Sequence, residues 1–220
     1  MRTLLVLAVA IFTSFSTAPP AEAQQTDTAL RLRQADVAGV VGWFGNRRVD
    51  DDALDYSEWN NRWTGALVAG WLWTAHLKTE LELGVTSEAD SWVTLVGPPS
   101  PRGPGFTYEE RYYQDTMLAV GQTWQFNENA WVHPFVTGGL TLNRERTRRE
   151  RPERWAGPDQ PLLPRERYGA STRVSPGAFF GAGLKTYVNE RAFLRTDGRV
   201  ELGGDGVSRV ALRLGLGVDF

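Results

Sequence analysis

Two histidines, His76 and His133, are the only side chains whose ordinary pKa suits proton transfer near neutral pH, and the chain has no cysteine. Without cysteine there is no thiolate nucleophile, thiolate zinc site or disulfide framework. Glu80 and Glu82 alternate onto one face of an extended run. Paired carboxylates can divide acid and base roles, but arginines expected on the same interior faces favour ion pairing. Asp50, Asp51 and Asp52 form an acidic run that could hold a divalent cation, although three adjacent aspartates lack the further ligand spacing of such a site. Arg144-Glu145-Arg146-Thr147-Arg148-Arg149-Glu150-Arg151 admits two readings. Arg144, Arg146, Arg148, Arg149 and Arg151 could bind phosphate through their guanidinium groups, or the segment is a solvated strand extension that its glutamates partly neutralise. No glycine-rich phosphate loop and no metal-ligand spacing is present. No catalytic, cofactor-binding or metal residue is therefore assigned, and no cofactor is expected.

The elements that must position these residues follow from a period of two. Val210, Leu212, Leu214, Leu216, Val218 and Phe220 fall on one side of the last segment, with Arg209, Ala211, Arg213, Gly215, Gly217 and Asp219 on the other. The apolar face runs to the final residue, so a protein core or a bilayer must cover it. The same alternation predicts seven more strands, at about 36–44, 62–73, 76–85, 111–126, 131–143, 174–188 and 191–202. In the first of these both faces are apolar, which leaves its orientation open. The connections alternate between long and short. Segments 45–61, 87–110 and 144–172 read as long loops, and Gly97-Pro98-Pro99 and Gly103-Pro104-Gly105 argue against strand in the second.

Arg2, an apolar run from Leu4 to Phe15, and Ala21-Glu22-Ala23 before Gln24 predict a cleaved signal peptide over residues 1–23. Residues 24–35 read as a short periplasmic lead-in and residues 36–220 as one domain. No later stretch reads as a spanning helix, so a membrane-embedded mature chain must be a closed barrel, the other way to satisfy every backbone group in lipid. The rival is a secreted soluble eight-stranded barrel with its apolar set inside. Aromatics at strand ends (Trp43, Trp63, Trp73, Trp124, Phe126, Trp131, Phe220), small residues on the charged faces and the alternating loop lengths favour lipid. The fold class expected is all-β, an eight-stranded antiparallel up-and-down transmembrane β-barrel. A formal net charge of -2 gives no basis for nucleic-acid binding.

The exported chain, the eight alternating segments and the terminal Leu214-Gly215-Leu216-Gly217-Val218-Asp219-Phe220 resemble the small outer-membrane β-barrel proteins of the OmpA/OmpX type. The resemblance implies a bacterial outer-membrane location, and it implies that Phe220 is the signal read by the barrel-assembly machinery. The sequence ends at the barrel, so the peptidoglycan-binding domain of some members is not expected. Facing inward, Lys78, Lys185, Arg195, Arg199, Arg209 and Arg213 would balance Glu80, Glu82, Asp115, Asp197, Glu201 and Asp219. An eight-stranded bore is just wide enough for side chains to fill, so this set reads as a structural ion-paired plug. The function expected is that of a monomeric, non-enzymatic envelope-structural or surface-interaction protein in contact with outer-membrane lipid and lipopolysaccharide. The alternatives are a narrow channel or carrier and a lipid A-modifying enzyme. For the last, His76 and His133 sit at the wrong end, near the periplasmic turns.

Overall fold

The computed structural model describes residues 34–50, 56–100, 103–126, 131–155, 162–203 and 206–220. The proposed signal peptide, most of the lead-in, Asp51 and Asp52 lie outside the described residues. Eight long strands form the wall: β1 (Ala35–Asp50), β2 (Tyr56–Leu72), β3 (Leu77–Thr86), β5 (Gly103–Gln125), β6 (Val132–Arg151), β10 (Ser171–Tyr187), β11 (Ala192–Gly203) and β12 (Gly206–Asp219). Four further strands, β4 (Ala89–Ser100), β7 (Arg154–Trp155), β8 (Leu162–Leu163) and β9 (Glu166–Arg167), belong to the long connections. Each wall strand pairs antiparallel with its neighbour, and β1 with β12 closes the ring, from Asp36 opposite Asp219 to Asn46 opposite Arg209. Closure removes every unpaired edge from the wall.

The pleat sorts the sequence onto two faces, and they are inverted relative to a soluble barrel. On β12, Leu212, Leu214 and Leu216 are 59%, 53% and 67% exposed, whereas Ala211 and Arg213, which alternate with them, are each 7% exposed. Leu81, Leu83 and Val85 on β3, and Leu140 and Leu142 on β6, point outward in the same way. For β1 the open question closes: Ala38, Val40 and Phe44 are buried, while Val37, Val41 and Trp43 face out. Such an apolar exterior is stable only against lipid. Trp63 on β2 and Trp73, the residue just after β2 ends, lie ten residues apart, both exposed. At about 3.4 Å per residue and a tilt of about 40°, that spacing is about 25 Å, the height of an outer-membrane apolar band. Trp43 lies opposite Trp63 at one rim. Trp71, Trp124, Trp131 and Phe220 are exposed at the other.

The long connections depart from expectation. Most of segment 87–110 is strand rather than loop: β4 pairs along the outer part of β5, from Ala89 opposite Tyr113 to Ser100 opposite Gly103. From the pair Val85–Thr116 to the pair Ala89–Tyr113 one side advances four residues and the other three. One residue is extra, which marks a bulge where β3 gives way to β4. Proline is tolerated there because β4 hydrogen-bonds to β5 alone, and Pro98 and Pro99 fall where the register shifts. Segment 45–61 likewise continues the β1–β2 hairpin to Asp50 opposite Tyr56. Segment 144–172 begins as strand, since β6 runs on to Arg151 and β10 starts at Ser171. These outer strands carry the sheet well beyond the height of the apolar band.

Candidate functional site

The lumen is assembled from the inward residue of every second position, and its charges meet in three tiers. Nearest the short turns, Lys78 Nζ donates to Asp36 Oδ2 at 2.7 Å and lies 2.7 Å from Glu80 Oε1. Lys185 Nζ reaches Asp36 at 3.0 Å and Asp219 Oδ1 at 2.6 Å, and the Tyr187 hydroxyl also donates to Asp219. Phe193 lies beneath the ammonium of Lys185, 3.9 Å from Nζ to the ring centre. That ring fits because its cross-strand partner is Gly217. A Cβ there would come within 2.2 Å of the ring.

In the middle tier Arg195 binds Glu80 through both terminal nitrogens, at 2.6 and 3.1 Å, and Asp197 through Nε at 2.8 Å. Thr123 donates to Glu80 at 2.9 Å, which leaves that carboxylate with neutral and cationic donors together. Glu82 accepts from Arg199 at 3.0 Å and from Arg213, whose Nε donates to Asp197 at 2.7 Å. Phe179 lies under the Arg199 guanidinium at 3.6 Å, and Phe135 under that of Arg195 at 4.7 Å. Glu201 accepts from Arg209 at 3.2 Å and Asn143 at 3.2 Å. Above these, Arg62 lies 3.1 Å from Asp115 and donates to Thr86.

The topology gives these contacts their meaning. In the ring order β1, β2, β3, β5, β6, β10, β11, β12, the strand opposite β3 is β11. The bonds from Arg195 to Glu80 and from Arg199 to Glu82 therefore cross the full bore. A cavity of about 10 Å³, room for about one water molecule, lies between Phe44, Thr64, Met117, Arg199, Glu201 and Arg209. Burying so many charges is tolerable because each is placed against opposite charge, hydrogen-bonding groups or a ring.

All of the lumen residues assigned from the alternation are buried inside the barrel: Lys78, Glu80, Glu82, Asp115, Lys185, Arg195, Asp197, Arg199, Glu201, Arg209, Arg213 and Asp219. Two members were missed. Asp36 and Arg62 stand at the predicted ends of strands; Arg62 alternates against the outward Trp63 and so belongs inside by parity, whereas Asp36 shares the side of Ala38, which only the structure shows to be the inner one. They add one charge of each sign, so the balance is unchanged. The ring partners Phe135, Phe179 and Phe193 were also missed, although Phe179 and Phe193 share the parity of Lys185 and Arg195.

The other candidates disperse. His76 is exposed, stacked on Trp124 at 5.5 Å, with Nδ1 3.0 Å from the Gln125 carbonyl. His133 sits edge-on to Tyr187 at 5.1 Å. Both lie at the short-turn end of the barrel. Phe220 is 68% exposed, and its backbone is tied to Gln34 and Ala35. The arginine segment is split by the pleat: Arg144, Arg146 and Arg148 are exposed, whereas Arg149 lies 3.6 Å from Glu109 and Arg151 lies 3.8 Å from Glu166. Among the described residues no group of three or more histidines and carboxylates is arranged to hold a metal ion.

An apolar exterior, a charged and filled interior and eight antiparallel strands define the class: a transmembrane β-barrel of the small outer-membrane type. No family model matches the chain, and no curated protein does. Solved structures of this architecture do. Neisserial surface protein A is 15% identical, with 84% of this chain covering 96% of that one at a TM-score of 0.50. The attachment invasion locus protein Ail of Yersinia pestis, solved with the heparin analogue sucrose octasulfate, is 12% identical over 85% of this chain and 99% of its own, at a TM-score of 0.49. OprG of Pseudomonas aeruginosa is 12% identical over 86% and 97%, at a TM-score of 0.47. At such identities the likeness is one of fold.

Proposed function

We propose that the chain serves in the bacterial outer membrane as a non-enzymatic barrel whose lumen is a plug and whose working surface is the sheet projecting beyond the membrane. The observation that carries this reading is the set of ion pairs joining opposite walls, Glu80 to Arg195 and Glu82 to Arg199. An open channel needs an unobstructed polar path, and here guanidinium and carboxylate groups meet directly across the diameter. The strands of the outer sheet are long enough to present a stable surface to lipids or other cells, which suits an envelope-structural or surface-interaction role. A lipid-modifying enzyme needs its base at the outer leaflet, where acyl chains are presented. His76 and His133 stand at the opposite end.

Planar-bilayer recording of the purified, refolded protein tests the plug. The expected result is a baseline without discrete steps at moderate voltage. Reproducible ohmic single-channel steps would overturn the closed-lumen reading and favour a narrow channel.

A further inference from the structure

The arginine segment of β6 looks self-neutralising as a sequence, because glutamates interrupt it. The pleat removes that neutralisation around Arg144 and Arg146 and leaves it only at the outer end of the segment, at Arg148. Glu145 shares the inner face with Asn143 and Thr147, and Thr147 donates to it at 3.3 Å. Glu150 shares the parity of Arg148, but it is buried and is engaged by Arg165 at 3.4 Å and Arg167 at 3.5 Å as well as by Arg148 at 3.5 Å. Arg144, Arg146 and Arg148 remain on the outer face, two residues apart, all exposed.

Their surroundings are specific. Directly below Arg144 on the same face come Leu142 and Leu140, 48% and 65% exposed. The row that pairs Val85 with Thr116 and Thr116 with Arg144 continues to Val174, so Arg144 stands among outward apolar residues. The cross-strand neighbours of Arg144 are Thr116 and Val174, and those of Arg146 are Gln114 and Thr172. None is a carboxylate. Arg148 lies over the Tyr112 ring at 4.7 Å and pairs with the exposed Glu88 at 3.0 Å. A row of outward guanidinium groups that starts where the apolar band ends lies at headgroup height. Guanidinium binds phosphate through paired donors and is well suited to that boundary.

We infer that Arg144, Arg146 and Arg148 form a docking row for the phosphate groups of an outer-leaflet lipid of the lipid A class, whose acyl chains pack on Leu140, Leu142 and Leu118. The inference rests on the orientation proposed above, with the long connections outside the cell.

The test uses the full mature chain in neutral maltoside micelles, titrated with bis-phosphorylated lipid A and followed by native mass spectrometry. The R144Q/R146Q/R148Q variant is expected to bind at least about tenfold more weakly, a modest loss for three charge-assisted contacts. An R149Q/R151Q variant, altered in arginines that pair with Glu109 and Glu166, should bind as the parent does. Equal binding by the triple variant overturns the inference. So does equal binding of lipid A stripped of both phosphates, or displacement of lipid A by inorganic phosphate at the same concentration, which would show a simple anion site. Heat-dependent gel mobility and insertion into phosphatidylcholine vesicles are recorded on the same preparations. If the parent inserts and the triple variant binds normally, only the docking row fails. If the parent does not insert, the membrane reading fails and takes the docking row with it.

Discussion

Arginine occupies two contrasting settings in this barrel. Inside the lumen, Arg195, Arg199 and Arg213 are each held by two carboxylates, and Arg195 and Arg199 also lie over a ring. On the outer face of β6, Arg144 and Arg146 stand among threonine, glutamine and valine, exposed. The chemistry of the side chain is the same, and the face of the pleat decides its role. A buried guanidinium cannot be rehydrated when its partner is lost, so its interactions act on stability. An exposed one is hydrated in any case, so its interactions act on recognition.

The contrast is tested most strongly at Glu82, which joins β3 to both Arg199 and Arg213. Removing one partner of a buried ion pair costs about 3–5 kcal/mol. Because Arg213 keeps Asp197 and Arg199 keeps Glu201 at 3.6 Å, Glu82→Ala should fall near the lower end, about 3 kcal/mol. Urea unfolding in lipid vesicles, followed by tryptophan fluorescence, measures this. A loss below about 1 kcal/mol would mean that the lumen charges are hydrated, and the distinction between the two settings would collapse.

A smaller effect belongs to the packing that supports the lumen cations. Gly217 leaves room for Phe193, and a Cβ would also meet the Val37 carbonyl oxygen at 2.7 Å. Backbone cannot yield as a side-chain tip can, so Gly217→Ala should destabilise by about 1–3 kcal/mol, the usual range for overpacking. A lowered temperature for the heat-dependent gel transition is the readout. An unchanged transition would show that the ring beneath Lys185 is loosely held.

Much of this architecture is legible in alternation alone, because most strands of the barrel carry one apolar and one polar face; β1, apolar on both, is the exception. The lumen set follows from parity; Arg62 escaped because strand ends are the least defined part of such a reading, and Asp36 also because both faces of its strand are apolar, so parity alone does not say which side is inward. The outer sheet was hidden for a different reason. Above the membrane no lipid imposes an apolar face, so the period fades, and Gly97-Pro98-Pro99 reads as loop although β4 continues to Ser100. The partners across the bore are a third case: parity places Glu80 and Arg195 inside but carries no information on which strands stand opposite. That requires the ring order.

The least disruptive change is expected at Arg148, and it bears directly on the docking row. Its bond to Glu88 joins two groups that are each nearly half exposed. Exposed pairs contribute about 0–1 kcal/mol, since water and salt compete for both partners. Arg148→Gln also removes the cation from the Tyr112 ring, worth about 0.5–1 kcal/mol at exposed sites. Arg148 also lies 3.5 Å from the buried Glu150, but that carboxylate keeps Arg165 and Arg167 when Arg148 is withdrawn. The net loss should stay below about 1 kcal/mol, measured by the same urea titration as Glu82→Ala. If the two substitutions destabilise equally, Arg148 is part of the structural framework of the outer sheet, and weakened lipid binding in its variants could no longer be assigned to lost phosphate contacts.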